Sequence, residues 1–107
     1  MTQYNPDCWV LIKITTDLHP TFYKVLAGWS GGYTTGDSWK MNSGITKVED
    51  DGDYWKFIGE TGSVYRCHKD GNQLRMSIIG VWNQLTAEYP DTVNLVDVGE
   101  VVQHLKT

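Results

Sequence analysis

Residues 45–68 read ITKVEDDGDYWKFIGETGSVYRCH and carry the clearest structural pattern in the chain. Residues 50–53 (DDGD) contain the Asp-Gly pair that is preferred in tight hairpin turns, and residues 59–62 (GETG) give a second turn signal. The runs between and after these turns, residues 54–58 and 64–68, are rich in aromatic and β-branched side chains. This even spacing predicts an antiparallel meander, which is typical of a strongly bent sheet or a small SH3-like or Sm-like barrel.

Two longer strands are predicted before the hairpins of residues 45–68. Residues 8–16 (CWVLIKITT) and residues 22–29 (FYKVLAGW) have the β-rich composition and the period-two alternation of strands. Residues 1–7 are polar and contain a proline, so we interpret them as a lead-in. The predicted β meander as a whole therefore covers residues 8–69.

Residues 29–45 (WSGGYTTGDSWKMNSGI) join the two longer strands to the later hairpins. They combine four glycines with three large aromatic residues, a composition too irregular for a helix. Glycine permits positive φ angles and close approach of other atoms, while aromatic rings offer a large contact area with a polar tip. The segment is therefore either a tight corner of the β fold or a binding loop. Its candidate binding residues are Trp29, Tyr33, Trp39 and Asp37, of which Asp37 is also suited to capping a turn.

Residues 74–106 have a different character, with helical periodicity around one short strand. Large apolar side chains recur at helical spacing over residues 76–89, and Pro90 ends the pattern. A strand is predicted over residues 92–96. Residues 97–100 (DVGE) have the spacing of a capping box and would begin a second helix.

Length and composition predict one β-rich α+β domain over residues 1–107, with one or two C-terminal helices. The net charge of −4 argues against a general affinity for nucleic-acid backbones or anionic membranes. The N-terminus lacks a basic region followed by an apolar run, and the longest apolar runs are only strand-length. We therefore expect a cytoplasmic protein with no membrane partner, in which Cys8 and Cys67 are buried, reduced thiols.

Two serine motifs raise the possibility of a small hydrolase. Residues 28–32 (GWSGG) match the G-x-S-x-G pattern around Ser30, and residues 36–38 (GDS) place Ser38 in another esterase-like motif. The first motif works at a strand-to-helix turn above a large sheet, and no helix is predicted here. The glycine runs also lack the Lys-Ser/Thr of a phosphate loop, and no Cys/His spacing fits zinc. We expect a non-enzymatic protein without a metal or cofactor.

A nucleic-acid-binding small barrel is the second alternative. Arg66, His68 and Lys69 would form a stacking platform for a single strand together with Tyr65 and Trp55. Arg66 and His68 are therefore candidate binding residues. The negative total charge counts against this function.

A resemblance to a known family is carried by three segments, residues 23–33 (YKVLAGWSGGY), 36–45 (GDSWKMNSGI) and 62–69 (GSVYRCHK). In these segments the chain resembles a family of short proteins from T4-type marine cyanophages and marine metagenomes. The likeness extends over residues 9–69 and implies a phage-encoded protein that acts in the host cytoplasm. The family has no assigned activity, so it supplies no functional residue for this sequence.

The favoured prediction is a non-enzymatic binding or assembly module that recognises a protein partner or its own copies. Five Trp and six Tyr accompany the glycine-containing loops. Exposed Trp and Tyr are enriched at protein interfaces, where they supply most of the binding energy.

Overall fold

The computed structural model of the protein describes residues 2–29 and 38–106. Two helices lie in the C-terminal third, α1 (Met76–Glu88) and α2 (Val98–Leu105), and a single 3-10 turn covers Lys69–Gly71. The strands are β1 (Gln3–Tyr4), β2 (Cys8–Ile14), β3 (Phe22–Trp29), β4 (Ser38–Met41), β5 (Ile45–Asp51), β6 (Tyr54–Gly59), β7 (Val64–His68) and β8 (Val93–Val96). The predicted β-rich α+β class is confirmed. In the described residues, neither helix is long and apolar enough to cross a membrane.

The described strands form two four-stranded sheets and not one closed barrel. The meander sheet has the order β1-β7-β6-β5, and the central sheet has the order β4-β3-β2-β8. The β5-β6-β7 hairpins are the predicted meander, and their turns contain Gly52 and Gly62 with φ angles of 68° and 90°. The meander predicted over residues 8–69 is therefore divided between two sheets, because β2, β3 and β4 pair separately.

The predicted lead-in contains a strand of its own. β1 pairs in parallel with β7, placing Gln3 beside Val64 and Tyr4 beside Tyr65. The Tyr4 ring packs 5.0 Å from the Tyr65 ring between centroids. A two-residue strand is too short to show a period in the sequence, so its pairing depends on the edge that β7 offers.

The central sheet is buried on both faces by residues that alternate along β2. Trp9 and Leu11 face the meander sheet, whereas Cys8, Val10 and Ile12 face the opposite side. The first face packs against side chains of the meander sheet and α2, which are Phe57, Tyr65, Cys67 and Val101. The second face packs against Ile78 of α1 and also includes Val93 of β8. The central sheet is thus the middle layer between α1 and the meander sheet.

The helix α2 is fixed at its N-terminus by hydrogen bonds to its own cap and to the central sheet. The helix start predicted at Asp97 is confirmed, since the Glu100 backbone N–H donates to Asp97 Oδ1 at 2.9 Å. The Tyr23 hydroxyl donates to Glu100 Oε2 at 3.0 Å, and Lys13 Nζ lies 3.4 Å from the same oxygen. Burial raises the pKa of the Tyr23 hydroxyl, and its hydrogen bond to the Glu100 carboxylate raises it further.

The chain crosses from the central sheet to the meander sheet at residues 42–44, between β4 and β5. Asn42 is buried, and it donates its N–H to Val25 O while Val25 N–H donates to Asn42 Oδ1. Gly44 has a φ of 151°, and its carbonyl accepts a hydrogen bond from the Glu60 N–H. The corner was expected over residues 29–45. It lies at the C-terminal end of that segment, because β3 and β4 are neighbours in one sheet and the chain changes sheets only after β4.

Both cysteines are free and buried, as predicted from the sequence. The Cys8 Sγ lies 3.3 Å from Ser77 Oγ at the start of α1. Cys67 lies in the core between the sheets, where burial raises the pKa of its thiol. A raised pKa disfavours the reactive thiolate, so Cys67 acts as a small apolar side chain.

The close approach of α1 to the central sheet makes Gly28 a test of this packing. A Cβ at Gly28 would overlap Ser77 Oγ and lie 2.6 Å from Ile78 Cγ2, whereas a Cβ at Gly80 would meet nothing within 4 Å. We expect Gly28→Ala to lower the free energy of unfolding by about 1–3 kcal/mol, because it overpacks this contact. Gly80→Ala is the matched control, and it should raise the free energy by up to about 1 kcal/mol through better helix propensity.

Urea unfolding of the two variants, followed by circular dichroism, measures both changes. A Gly28→Ala variant as stable as the Gly80→Ala variant would contradict the placement of α1 on the central sheet.

Candidate functional site

β4 is an edge strand whose side chains are largely exposed. Among the described residues it pairs only with β3, in a register that places Trp39 opposite Gly28 and Met41 opposite Leu26. Ser38, Trp39 and Lys40 are exposed, and Met41 is half-buried. An exposed edge presents backbone donors and acceptors to any strand that approaches it.

The backbone groups that face outward belong to Trp39 and Met41. Asn42 donates its N–H to Val25 O of β3. Since backbone groups alternate in direction along an antiparallel strand, those of Lys40 also face β3. The N–H and C=O groups of Trp39 and Met41 therefore point away from β3, and no described strand pairs with them.

The side chains of Trp39 and Met41 face α1 and line two adjacent cavities. The first has a volume of about 220 Å³ and is lined by Trp39, Met41, Val81, Gln84, Leu85 and Glu88. The second has a volume of about 240 Å³ and is lined by Ile14, Phe22, Lys24, Met41, Leu85, Tyr89, Thr92 and Val93. Because Met41 and Leu85 line both, the cavities form one depression between the central sheet and α1, which we call the β4–α1 groove.

Two half-exposed aromatic rings lie in the β4–α1 groove, one in each cavity. Trp39 and Tyr89 are each 51% exposed. The other exposed large apolar side chains of the described residues, Leu18, Ile79 and Leu95, line neither cavity. Exposed aromatic area concentrated in an apolar depression is typical of a binding surface, whereas single exposed apolar residues are ordinary.

The position of the groove follows from the local sequence of three elements. Gly28 lets the first turn of α1 approach the central sheet, so Ile78 is fully buried there. Val81 and Leu85 lie three and seven residues further along α1 and therefore continue the same helix face. Strand alternation puts Trp39 and Met41 on the face that these side chains meet.

Among the described residues, the cationic strand residues that have no carboxylate within 4.0 Å lie on β4 and on its neighbour β3. Lys13, Lys47, Lys56 and Arg66 each form an ion pair with a carboxylate. Among the described residues, the remaining two cationic strand residues, Lys24 and Lys40, have no carboxylate within 4.0 Å. The nearest described aromatic contacts are Lys24 Nζ at 5.9 Å from the Phe22 ring centroid and Lys40 Nζ at 5.2 Å from that of Tyr4.

The predicted binding residues of the segment 29–45 have different environments. Trp29 is half-buried against the core between the sheets, and its Nε1–H donates to Asn5 O at 3.0 Å. Trp29 therefore has a structural role, while Trp39 lies in the groove. The predicted residues Tyr33 and Asp37 lie outside the described residues, as does Ser30.

Arg66 and His68 lie together with Tyr54 on the outer face of the meander sheet. The predicted pair of Lys69 and Trp55 meets separately, with Lys69 Nζ 4.5 Å from the Trp55 ring centroid. The Arg66 guanidinium lies 3.6 Å from the Tyr54 ring centroid, and the His68 ring lies edge-on to Tyr54 at 5.0 Å. Tyr65 faces the core and is 1% exposed, and burial raises its pKa to about 12. The expected platform with Tyr65 is wrong, because Tyr65 and Arg66 point to opposite faces of β7.

Arg66 and Lys69 are already paired with carboxylates of the β5–β6 hairpin. Arg66 Nε donates to Asp51 Oδ2 at 3.0 Å, and Lys69 Nζ donates to Asp50 Oδ1 at 2.8 Å. The hydrogen bond from Arg66 lowers the pKa of Asp51, and the same bond raises the pKa of Arg66. Cations that are neutralised in this way are poorly placed to contact phosphates.

The described residues provide little that resembles a reaction centre. Ser38 is exposed at the start of β4, and none of its described hydrogen bonds is to a histidine. Within residues 2–29 and 38–106, no group of three or more His, Cys, Asp or Glu side chains is arranged to hold a metal ion. The chemistry that the β4–α1 groove offers is apolar contact area beside backbone hydrogen-bonding groups that no described strand pairs with.

A third cavity of about 430 Å³ lies beside the turn between β2 and β3 and is lined by His19, Pro20, Thr21, Phe22, Ser43 and Glu60. Phe22 is the only Phe, Tyr or Trp among these lining residues, and it is half-buried. This cavity therefore lacks the exposed aromatic area of the β4–α1 groove.

Comparison with protein families, with curated proteins and with solved structures finds no match to the chain.

Sequence reasoning missed most of the groove. The sequence did contain patterns that belong to the groove. Trp39 and Met41 share a strand face, and the apolar residues Val81, Leu85 and Tyr89 follow helical spacing. What the sequence did not show is that β4 and α1 lie side by side. That contact joins segments about 40 residues apart, and no local pattern reports it.

The ion pair between Arg66 and Asp51 predicts a specific pH dependence of stability. The pKa of Asp51 is lower in the folded state than its ordinary value of 3.8. The ionised carboxylate therefore stabilises the fold above that value, and this contribution is lost as the pH falls through the lower folded pKa. The stability difference between the wild type and Asp51→Asn should be largest above pH of about 5 and should shrink towards pH of about 2.

Asp53→Asn in the same hairpin is the matched control, because its carboxylate has no ion pair among the described residues. Urea midpoints measured at several pH values give the comparison. A difference for Asp51→Asn that does not change with pH would show that the ion pair does not form.

Proposed function

We propose that this protein is a non-enzymatic binding module that captures an extended segment of a partner protein in the β4–α1 groove. The observation that carries the proposal is the position of Trp39. Its ring is half exposed and lines the groove, while its own backbone groups face outward from the edge of β4.

An open strand edge beside apolar cavities supports the addition of a strand from another chain. In this mode of recognition, backbone hydrogen bonds provide affinity and cavities for alternate side chains provide specificity. Trp39 and Met41 supply both features at β4, since their backbone groups face outward and their side chains line the groove. Residues of an added strand that point towards α1 would enter the cavities.

Each cavity alone is smaller than a usual small-molecule site, and the groove consists of two such adjoining cavities, which suits separate side chains of an extended segment. The two cavities have volumes of about 220 and 240 Å³. Small-molecule sites usually have volumes of roughly 300–1,000 Å³ and enclose most of their ligand. Each cavity of the groove accommodates one large apolar side chain of an extended segment.

The resemblance of residues 9–69 to cyanophage proteins supports a phage-encoded protein that meets its partner in the host cytoplasm. This part of the proposal rests on that resemblance alone.

A random peptide library selected on the immobilised protein tests the proposal. Trp39→Ala removes the exposed ring, and Leu18→Ala removes an apolar side chain that is 86% exposed and lies outside the groove. We expect selected peptides to bind Trp39→Ala at least about tenfold more weakly than the wild type, because an anchoring aromatic ring contributes more than about 1.4 kcal/mol. Their affinity for Leu18→Ala should be unchanged.

Circular dichroism of both variants checks that the fold is retained. A selection that yields no peptide would overturn the proposal, as would peptides that bind the two variants equally well.

A further inference from the structure

We infer that the segment captured by β4 is acidic on its face away from α1, that its face towards α1 is apolar with one acidic position near Lys24, and that it belongs to a different protein. The inference rests on the proposed function and specifies the chemistry of its partner. It is carried by Lys40 and Lys24, the cationic strand residues that lack a carboxylate partner among the described residues.

Lys40 determines the charge on the face of the segment that points away from α1. Trp39 and Met41 point towards α1, so Lys40 between them points to the opposite face of the central sheet. Lys40 is exposed, and its described contact is with the Tyr4 ring. A residue of an added strand directly opposite Lys40 would lie about 4.5–5.5 Å away between Cβ atoms, and opposite charges stabilise such a pair.

Lys24 and Glu88 determine the charge pattern inside the groove. Lys24 lines the cavity that contains Tyr89, whereas Glu88 lines the cavity that contains Trp39. Glu88 accepts a hydrogen bond from Gln84 and remains an exposed negative charge. An acidic side chain of the segment is therefore favoured near Tyr89 and disfavoured near Trp39, where an apolar side chain fits.

The net charge of −4 does not prevent this recognition. At physiological ionic strength the screening length is about 8 Å, so distant charges contribute little to the interaction. A carboxylate paired across the strands with Lys40 would lie within that distance, so the local positive charge decides the preference. Repulsion at long range lowers the rate of association more than the final affinity.

The charge of β4 also disfavours a second copy as the occupant. β4 consists of Ser38, Trp39, Lys40 and Met41 and has no carboxylate to place opposite a lysine. A symmetric antiparallel pairing centred on Trp39 puts each Lys40 opposite the uncharged Ser38, and one centred on Lys40 brings two Lys40 side chains directly opposite each other. Like charges in this position destabilise the pair, and an edge lysine is a common means of preventing self-pairing.

The experiment selects the random peptide library in parallel on the wild type and on Lys40→Glu, Lys24→Glu and Lys106→Glu. Lys106 is the matched control, because it is exposed at the C-terminus of α2 and lines neither cavity of the groove. Only peptides whose binding is lost in Trp39→Ala are sequenced. Circular dichroism confirms the fold of each variant.

We expect peptides selected on the wild type to contain acidic residues at least about threefold more often than basic ones, consistent with the contribution of a cross-strand charge pair. Lys40→Glu should reverse this preference, Lys24→Glu should weaken it, and Lys106→Glu should leave it unchanged. Trp39-dependent peptides without an acidic preference, or with one that Lys40→Glu does not alter, would overturn the inference and leave the proposed function standing.

The absence of any Trp39-dependent peptide would overturn both proposals. Sedimentation equilibrium of the wild type and of Trp39→Ala tests whether a second copy of the chain occupies the groove. A dimer that Trp39→Ala dissociates would show that a second copy occupies the groove, and would overturn the assignment to a different protein.

Discussion

Burial of β2 and β3 on both faces is the constraint on which the rest of this fold depends. Trp9 and Leu11 face the meander sheet, while Cys8 and Val10 face the layer that contains α1. A strand that is apolar on both faces needs a cover on each side, so one sheet and one helix are both required. The second sheet, the approach of α1 at Gly28 and the crossing at Asn42 all follow from covering this pair of strands.

Among the described residues, the central sheet ends in two edge strands, β8 and β4. β8 pairs with β2 on one side, and on the other side β4 extends β3 as a four-residue edge strand. α1 covers the face of β3 and β4 without covering the outward backbone of Trp39 and Met41. The space between β4 and the second half of α1 forms the β4–α1 groove. The candidate site is therefore a consequence of how the core is closed.

Local sequence patterns predicted the strands, turns and helices well. They missed the features that depend on contacts between distant segments of the chain. The Asp-Gly turn at residues 51–52, the strand at Val64–His68 and the helix start at Asp97 were all visible because a few neighbouring residues determine them. The division into two sheets and the pairing of β1 with β7 depend on long-range packing, which has no local signature. Trp39 was predicted to be a binding residue from the glycine-rich and aromatic composition of residues 29–45 alone. The residues that lie across the groove from it became evident only once α1 was placed beside β4.

Native-state hydrogen exchange, resolved for single amides, tests most directly the claim that a doubly buried sheet ends in an open edge. The amides of β2 and β3 should exchange only through global unfolding, whereas those of Trp39 and Met41 should exchange at least about a thousandfold faster, since unfolding a domain costs about 5 kcal/mol or more. Lys40 is the internal control, because its amide faces β3 and should be protected more than its two neighbours. Amides of Trp39 and Met41 that are protected as strongly as those of β3 would contradict the account, because another strand or chain would then cover this edge.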